Sequence, residues 1–177
     1  VAGRALELHV FGFGRVPRGQ AVLRSGAKPG DVLYVTGALG GSIRGRHLRF
    51  EPRLAEGRWL RAGGWVSAMI DVSDGLATDL RHLATASGVG VVVDPTAVPV
   101  AAAARALLDG RTPHHHAWCD GEDFELLFCV PAGRARVLEA AWKRAFPLRL
   151  TRLGDVIKAR ALVGVPPARG YEHFRAG

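Results

Sequence analysis

Strand-like and helix-like segments alternate along this chain, and this alternation restricts the possible folds more than any other feature. Runs rich in β-branched residues, such as Val32 to Thr36 and Val89 to Val93, are typical of buried strands. Between them, leucines from Leu76 to Leu83 recur at helical spacing. This order predicts an α/β fold in a single domain over residues 1–177.

The same patterns predict the remaining elements. Further strands are expected at Glu7 to Phe11, Val66 to Ile70, Phe124 to Val130 and Leu148 to Gly154. Further helices are expected at Arg53 to Arg61, Pro99 to Leu108 and Ala132 to Phe146. Ser73 or Asp74 should cap the helix that contains the regularly spaced leucines. Gly88 should end that helix, and Arg111 to His116 should form a loop.

The composition is that of a globular protein, with 48% hydrophobic and 23% charged residues. No apolar run approaches the roughly 18 to 20 residues that cross a bilayer, so we expect no membrane partner. Cys119 and Cys129 are too few for a disulfide framework or a multi-cysteine zinc site. We therefore expect two packed thiols in a reduced, cytoplasmic setting.

The positive charge raises the possibility of a nucleic-acid partner. Lys and Arg total 24 against 16 Asp and Glu, which gives a net charge of +8. The basic residues are nevertheless scattered singly, and no aromatic residues alternate with them as in single-strand binders. The pattern favours a solvated basic surface over nucleic-acid binding.

The first candidate site is Asp71-Val72-Ser73-Asp74-Gly75, which stands where a strand is expected to run into a helix. The free N–H groups of a helix start attract phosphate, but two carboxylates would repel a bare phosphate. They would instead suit Mg²⁺, which binds one or two carboxylates together with phosphate oxygens and water. The alternative is an ordinary helix cap with an additional acidic residue.

The second candidate site is the acidic segment Asp120-Gly121-Glu122-Asp123-Phe124-Glu125, with four acids in six residues. In a chain this basic, such a cluster could coordinate a metal or capture a cationic ligand. The alternative is a solvated turn, with Glu125 on the open face of the following strand.

Two further segments carry weaker signals. Gly37 to Ser42 could cradle a phosphate with backbone amides, but it lacks the lysine of a Walker motif, and a tight turn is favoured. His114, His115 and His116 are similar to a metal-binding tract. Without a cysteine partner other than Cys119, the tract favours a loop over a zinc site.

Six short motifs follow one another in a specific order. They are Gly14 to Pro17, Leu23 to Asp31, Tyr34 to Gly37, Ile70 to Leu76, Gly121 to Leu126 and Gly170 to Phe174. Together they resemble the C-terminal half of thiamine-monophosphate kinase, in the superfamily that includes aminoimidazole ribonucleotide synthetase. The resemblance covers nearly the whole chain.

The resemblance implies a fold and an activity. The fold would be a three-layer α/β/α sandwich with a mixed sheet, like the C-terminal domain of aminoimidazole ribonucleotide synthetase. The activity would be transfer of the γ-phosphoryl group of ATP to thiamine monophosphate, giving thiamine diphosphate. The family positions imply that Asp71 and Asp74 bind Mg²⁺, that Ser73 touches the nucleotide, and that Glu122 and Tyr171 touch the thiamine substrate. No residue is expected to act as a covalent nucleophile.

The chain departs from the family pattern in three respects. Asp120 precedes Gly121 where the family has a second glycine, and the stretch after Gly37 is short. The N-terminal half, which holds most of the Mg²⁺-binding aspartates and much of the ATP site, has no counterpart, because Val1 stands about where the second half would begin. We therefore expect a fragment that is inactive alone and that forms the family's homodimer only in the complete enzyme.

Other functions remain open at this point. A related ATP-dependent enzyme of the same superfamily could act on a different phosphorylated small molecule. A non-catalytic module could sense thiamine phosphates or dock on a partner.

Overall fold

A computed structural model describes residues 10–167 of the chain, which form a six-stranded mixed sheet with helices on both faces. The strands are β1 (Val32–Thr36), β2 (Ala68–Asp71), β3 (Gly90–Val93), β4 (Leu126–Val130), β5 (Leu150–Ile157) and β6 (Leu162–Val163). Their order across the sheet is β2-β4-β1-β5-β3-β6. Every neighbouring pair is antiparallel except β3 and β6, which are parallel.

The helices of this region are short. They are α1 (Leu54–Ala62), α2 (Leu76–Ser87), α3 (Ala102–Arg105), α4 (Pro113–Cys119) and α5 (Ala132–Ala145), with single 3-10 turns at Ser42–Arg44, Arg46–Leu48 and Pro95–Ala97. None of the helices between residues 10 and 167 is long and apolar enough to span a membrane.

The sheet separates two apolar cores, and β1 contributes to both. Its residues Leu33 and Val35 face a core shared with α2 and α4, whereas Val32 and Tyr34 face a core shared with α1 and α5. All five residues of β1 are buried, as expected for a strand that is covered on both faces. The expected three-layer α/β/α sandwich with a mixed sheet is confirmed.

The start of α2 differs from the expectation. Neither Ser73 nor Asp74 caps the helix with its side chain; Gly75 occupies the cap position with a φ of 98°, a conformation that favours glycine. The side chain of Asp79 bonds back to the loop instead, accepting the N–H of Asp74 at 2.9 Å. The helix ends at Gly88 as predicted, with that residue in the left-handed conformation.

Three expected elements are changed or missing in the structure. Arg111 to His116 is not a loop, because α4 begins at Pro113, with the Thr112 hydroxyl accepting the N–H of His115 at 3.1 Å. The expected helix over Pro99 to Leu108 shrinks to the four residues of α3. Val10 and Phe11 are exposed and belong to no strand, while the rest of that expected strand lies outside the described residues.

Both cysteines are free thiols, as predicted. Cys129 is fully buried in β4, where burial raises the pKa of its thiol. Cys119 is partly buried at the end of α4 and packs against the same core.

Two neighbouring residues of α5 test the layered core. Leu138 is fully buried, whereas Val137 is 58% exposed on the same helix. Leu138→Ala should lower the free energy of unfolding by about 2–5 kcal/mol, because it removes a buried side chain and leaves a cavity. Val137→Ala should change it by less than about 0.5 kcal/mol. Urea titrations of the two variants would measure both values, and equal losses would contradict the assignment of this helix face.

Candidate functional site

The strand-to-helix loop after β2 packs directly against the acidic turn before β4. The N–H of Glu122 donates to the Ser73 carbonyl at 2.7 Å, and the N–H of Phe124 donates to the Val72 carbonyl at 2.8 Å. The Val72 N–H returns a bond to the Glu125 carbonyl at 2.8 Å. The two acidic motifs found in the sequence therefore form one surface.

Close packing between these segments requires a glycine at position 121. Gly121 has a φ of 72°, and a Cβ there would lie 2.6 Å from the Ser73 carbonyl oxygen. A larger residue would force the two motifs apart.

Four of the five predicted site residues meet at this surface. Asp71 is exposed at the end of β2, Ser73 and Asp74 are half-buried in the following turn, and Glu122 is exposed across from them. The fifth, Tyr171, lies outside the described residues.

A group of three potential metal ligands at this loop differs from the predicted pair of aspartates. Ligand atoms of Asp74, Asp79 and His82 all lie within 4.8 Å of one another, and Asp71 is not part of that set. Asp79 is buried, and this burial raises its pKa to about 7 against the opposing effect of the Asp74 N–H. Asp79 and His82 stand one turn apart on the helix that follows Asp74. This helical spacing was the sequence signal that could have identified them as neighbouring potential metal ligands.

The glycine-rich loop after β1 binds carboxylates of the protein itself. The Gly40 N–H donates to both oxygens of Asp123, at 3.0 and 2.9 Å, and the Gly41 N–H donates to Asp120 at 2.8 Å. The Ser42 hydroxyl adds a bond to the Gly121 carbonyl at 2.8 Å. These amides therefore already bind carboxylates of the protein. The tight turn predicted for this segment agrees with the 3-10 turn that follows it.

Asp120, which stands where the family has a glycine, is also used internally. Besides Gly41, its carboxylate bonds Nδ1 of His116 at 2.9 Å. Nε2 of His116 lies 3.2 Å from the Asp109 carboxylate. Burial by itself would lower the pKa of His116, but the two carboxylates raise it above its ordinary value. His116 thus fixes the acidic turn to α4. Within residues 10–167, the histidine tract joins no group of three potential metal ligands.

The alternative that placed Glu125 on an open strand face is wrong. Glu125 is fully buried and accepts the Thr36 hydroxyl at 2.6 Å and two N–H groups of Arg53 at 2.9 and 2.8 Å. Arg46 adds a further charged hydrogen bond to the same carboxylate. Burial would raise the pKa of Glu125, but these partners hold it below its ordinary value.

Phe124 forms an aromatic pair with Phe50 beside the acidic turn. The ring centroids lie 4.0 Å apart at an interplanar angle of 29°. Both Glu122 and Phe124 have positive φ angles, 52° and 51°, which non-glycine residues rarely adopt. Backbone bonds and this ring contact hold the strained turn in place, and nothing in the sequence pattern had indicated the pair.

A family model and the sequences of related proteins place this chain in the same family. The family model described as AIR synthase related protein, C-terminal domain, matches residues 41–165. A thiamine-monophosphate kinase of Rhodopirellula baltica is 46% identical over 140 residues, which cover 78% of this chain and 43% of that protein.

Solved structures show the same relationship. The crystal structure of thiamine-monophosphate kinase from Stenotrophomonas maltophilia K279a matches with a TM-score of 0.74 and 32% identity, covering 84% of this chain and 54% of that one. A structure described as AaThiL complexed with AMPPCP and TMP matches with a TM-score of 0.71 and 28% identity, covering 86% and 54%. The chain spans about half the length of the curated relatives it matches.

Two glutamates of the acidic turn provide a matched test of the buried charge cluster. Glu125→Gln should lower the free energy of unfolding by about 3 kcal/mol, since it leaves two arginines beside a neutral group. Glu122→Gln, at an exposed position, should change it by less than about 0.5 kcal/mol. Chemical denaturation at pH 7 would compare the two, and a stable Glu125→Gln variant would argue against the cluster as a structural anchor.

The buried carboxylate of Asp123 predicts a pH dependence of stability. Burial raises its pKa from 3.8 to about 7, so the folded chain binds this proton more tightly than the unfolded chain. The stabilisation is fully present below pH 3.8 and is lost as the pH rises through about 7. Between pH 5 and 7 this group should cost the folded state at most about 3 kcal/mol.

Asp79 contributes to the same trend, because its pKa is also raised to about 7. Asp123→Asn should therefore remove about half of the loss in stability between pH 5 and 7. Asp155→Asn, at an exposed position, should leave the loss unchanged. Unfolding curves at several pH values would measure the slopes, and an unaltered slope in Asp123→Asn would be evidence against the raised pKa.

Proposed function

Because this chain belongs to the AIR synthase-related C-terminal domain family, we propose that it supplies half of the active site of a thiamine-monophosphate kinase. The enzyme would transfer the γ-phosphoryl group of ATP to thiamine monophosphate. The proposal rests mainly on one observation. The loop at Asp71 to Gly75 is hydrogen-bonded to the turn at Asp120 to Glu125, so candidate metal and substrate residues lie on one surface. Relatives with up to 46% identity that bear this activity support the choice of reaction.

Asp71 and Asp74 would hold Mg²⁺ in this site. Their oxygens are the hard ligands that this ion takes from proteins, alongside substrate phosphates and water. Among the residues that the structure describes, no basic side chain forms an ion pair with either carboxylate, so both are available to a cation. Bound Mg²⁺ would neutralise charge on the transferring phosphoryl group.

Some acidic residues of the neighbouring turn bind other groups of the protein, whereas one carboxylate is exposed to a ligand. Asp120, Asp123 and Glu125 are engaged by the protein's own amides, His116 or arginines, whereas the Glu122 carboxylate is exposed. A free carboxylate beside the metal loop suits the cationic ring of thiamine. We therefore assign Glu122, together with Tyr171, to the thiamine substrate and Ser73 to the nucleotide phosphates.

The departure at Asp120 does not weaken this assignment. Its carboxylate bonds Gly41 and His116 and is therefore directed into the protein, away from the ligand surface. A relative of the same fold described as complexed with AMPPCP and TMP supports a nucleotide and thiamine monophosphate as the ligands.

The rest of the site would come from a second unit. The matched relatives are about twice as long as the part they share with this chain, and we assign the remaining metal ligands and much of the ATP site to the unmatched part. In this proposal the chain alone has no kinase activity, and the homodimer belongs to the complete cytoplasmic enzyme.

Calorimetry tests the metal assignment on this chain directly. Thiamine monophosphate and a non-hydrolysable ATP analogue would be titrated with and without Mg²⁺. We expect Mg²⁺ to tighten binding of the phosphate-bearing ligands, because Asp71 and Asp74 would hold the ion and the ion would neutralise phosphate charge. Asp71→Asn combined with Asp74→Asn should remove the Mg²⁺ effect.

The matched control for that titration is Asp155→Asn. Asp155 is an exposed aspartate of β5 that pairs with Arg152 and lies outside the site. This variant should retain the full Mg²⁺ effect. A Mg²⁺ effect that persists in the Asp71 and Asp74 double variant would refute the assignment of these residues.

A further inference from the structure

A cleft lies against α5, on the face of the sheet opposite α2 and α4. Its volume is about 480 Å³, within the range of roughly 300–1,000 Å³ that is usual for small-molecule sites. The lining includes Tyr34, Glu139, Trp142, Lys143, Phe146 and Arg149. None of the residues assigned to the kinase site lines it, so the cleft is independent of the proposed function.

The floor of the cleft is apolar and firmly held. Trp142 is almost completely buried, and its ring centroid lies 4.7 Å from that of Phe146. The indole N–H donates to the Leu148 carbonyl at 2.7 Å, so Trp142 supports Phe146 and Leu148 from beneath the cleft. Leu148 and Leu150 are half-buried and extend this apolar surface.

The polar groups at the base of the cleft are also paired. The Tyr34 hydroxyl donates to Glu139 at 2.6 Å, and burial together with Glu139 raises the pKa of the tyrosine. The tyrosine therefore stays neutral, and one oxygen of the single lining carboxylate is engaged by it. A ligand that enters the cleft meets an apolar wall whose polar atoms already have partners.

The rim of the cleft is cationic. Lys143, Arg149 and Arg152 stand at its edge and are exposed, against the single acid Glu139. Arg152 pairs with Asp155 at 2.7 Å. Lys143 and Arg149 form no ion pair with any acid between residues 10 and 167, so their charges are not neutralised there.

We propose that this cleft binds a small aromatic anion, with a flat ring on Phe146 and Leu150 and a carboxylate or similar group between Lys143 and Arg149. The ring would replace water on an apolar surface, and the anion would meet two unpaired cations.

Calorimetric titration of this chain with 1-naphthoate tests the proposal. We expect saturable binding that weakens with added salt and that shifts the indole N–H resonance of Trp142. The neutral analogue 1-naphthalenemethanol should bind at least about ten-fold more weakly, because it lacks the charge. Lys143→Glu combined with Arg149→Glu should weaken naphthoate binding by at least about ten-fold.

The control variant carries the same change in net charge, placed at two positions of α5 outside the cleft. Arg136→Glu combined with Arg144→Glu alters two exposed residues of α5 that do not line the cleft, and it should leave naphthoate affinity within about two-fold. Circular dichroism would verify that both double variants keep the native fold. Equal loss in both variants, equal affinity for the neutral analogue, or no saturable binding up to about 10 mM would overturn the proposal.

Discussion

The buried carboxylate of Glu125 joins four segments at one end of the sheet. It stands just before β4 and bonds Thr36 at the end of β1, Arg46 in the short turn that follows, and Arg53 at the start of α1. Buried ion pairs often add little net stability, because the charges lose their hydration. Their effect is mainly positional, since removing one partner leaves the others buried without compensation. This anchor fixes where the acidic turn leaves the sheet.

At this end of the sheet, the acidic residues fall into two classes. Residues of the first class, Asp120, Asp123 and Glu125, accept hydrogen bonds from backbone amides, a histidine or arginines. These bonds hold the loops in place. Asp71 and Glu122 stay exposed, although they lie beside residues of the first class. Glycine allows this arrangement, because at Gly37 a Cβ would collide with the Glu125 carboxylate at 2.1 Å. The chain thus holds ligand-type carboxylates on a surface that is built by other carboxylates.

Much of the fold follows from local sequence patterns, and the exceptions have a physical cause. The strand β1 and the helix α5 lie within one residue of their predicted bounds, because β-branched runs and helical spacing are local signals. The helix α4 escaped prediction because three adjacent histidines have weak helix propensity, and its stability depends on packing Trp118 into the core. Its Thr-Pro start was the one local signal available.

The candidate site was predictable in part for the same reason. The strand-to-helix junction at Asp71 is a local feature and was anticipated, but the burial of Glu125 was not. Its partner Arg53 lies 72 positions earlier in the sequence, and no periodicity reveals such a pair. Similarly, the sequence predicts that Asp120 is a solvated acid, whereas in the structure its carboxylate accepts the N–H of Gly41.

We propose that this chain supplies the metal and acceptor half of a thiamine-monophosphate kinase. A chimera would test it most directly, with this chain replacing the matching half of the Rhodopirellula baltica enzyme, to which it is 46% identical over 140 residues. We expect the chimera to transfer the γ-phosphoryl group from ATP to thiamine monophosphate. A folded chimera that phosphorylates other small acceptors but not thiamine monophosphate would contradict it.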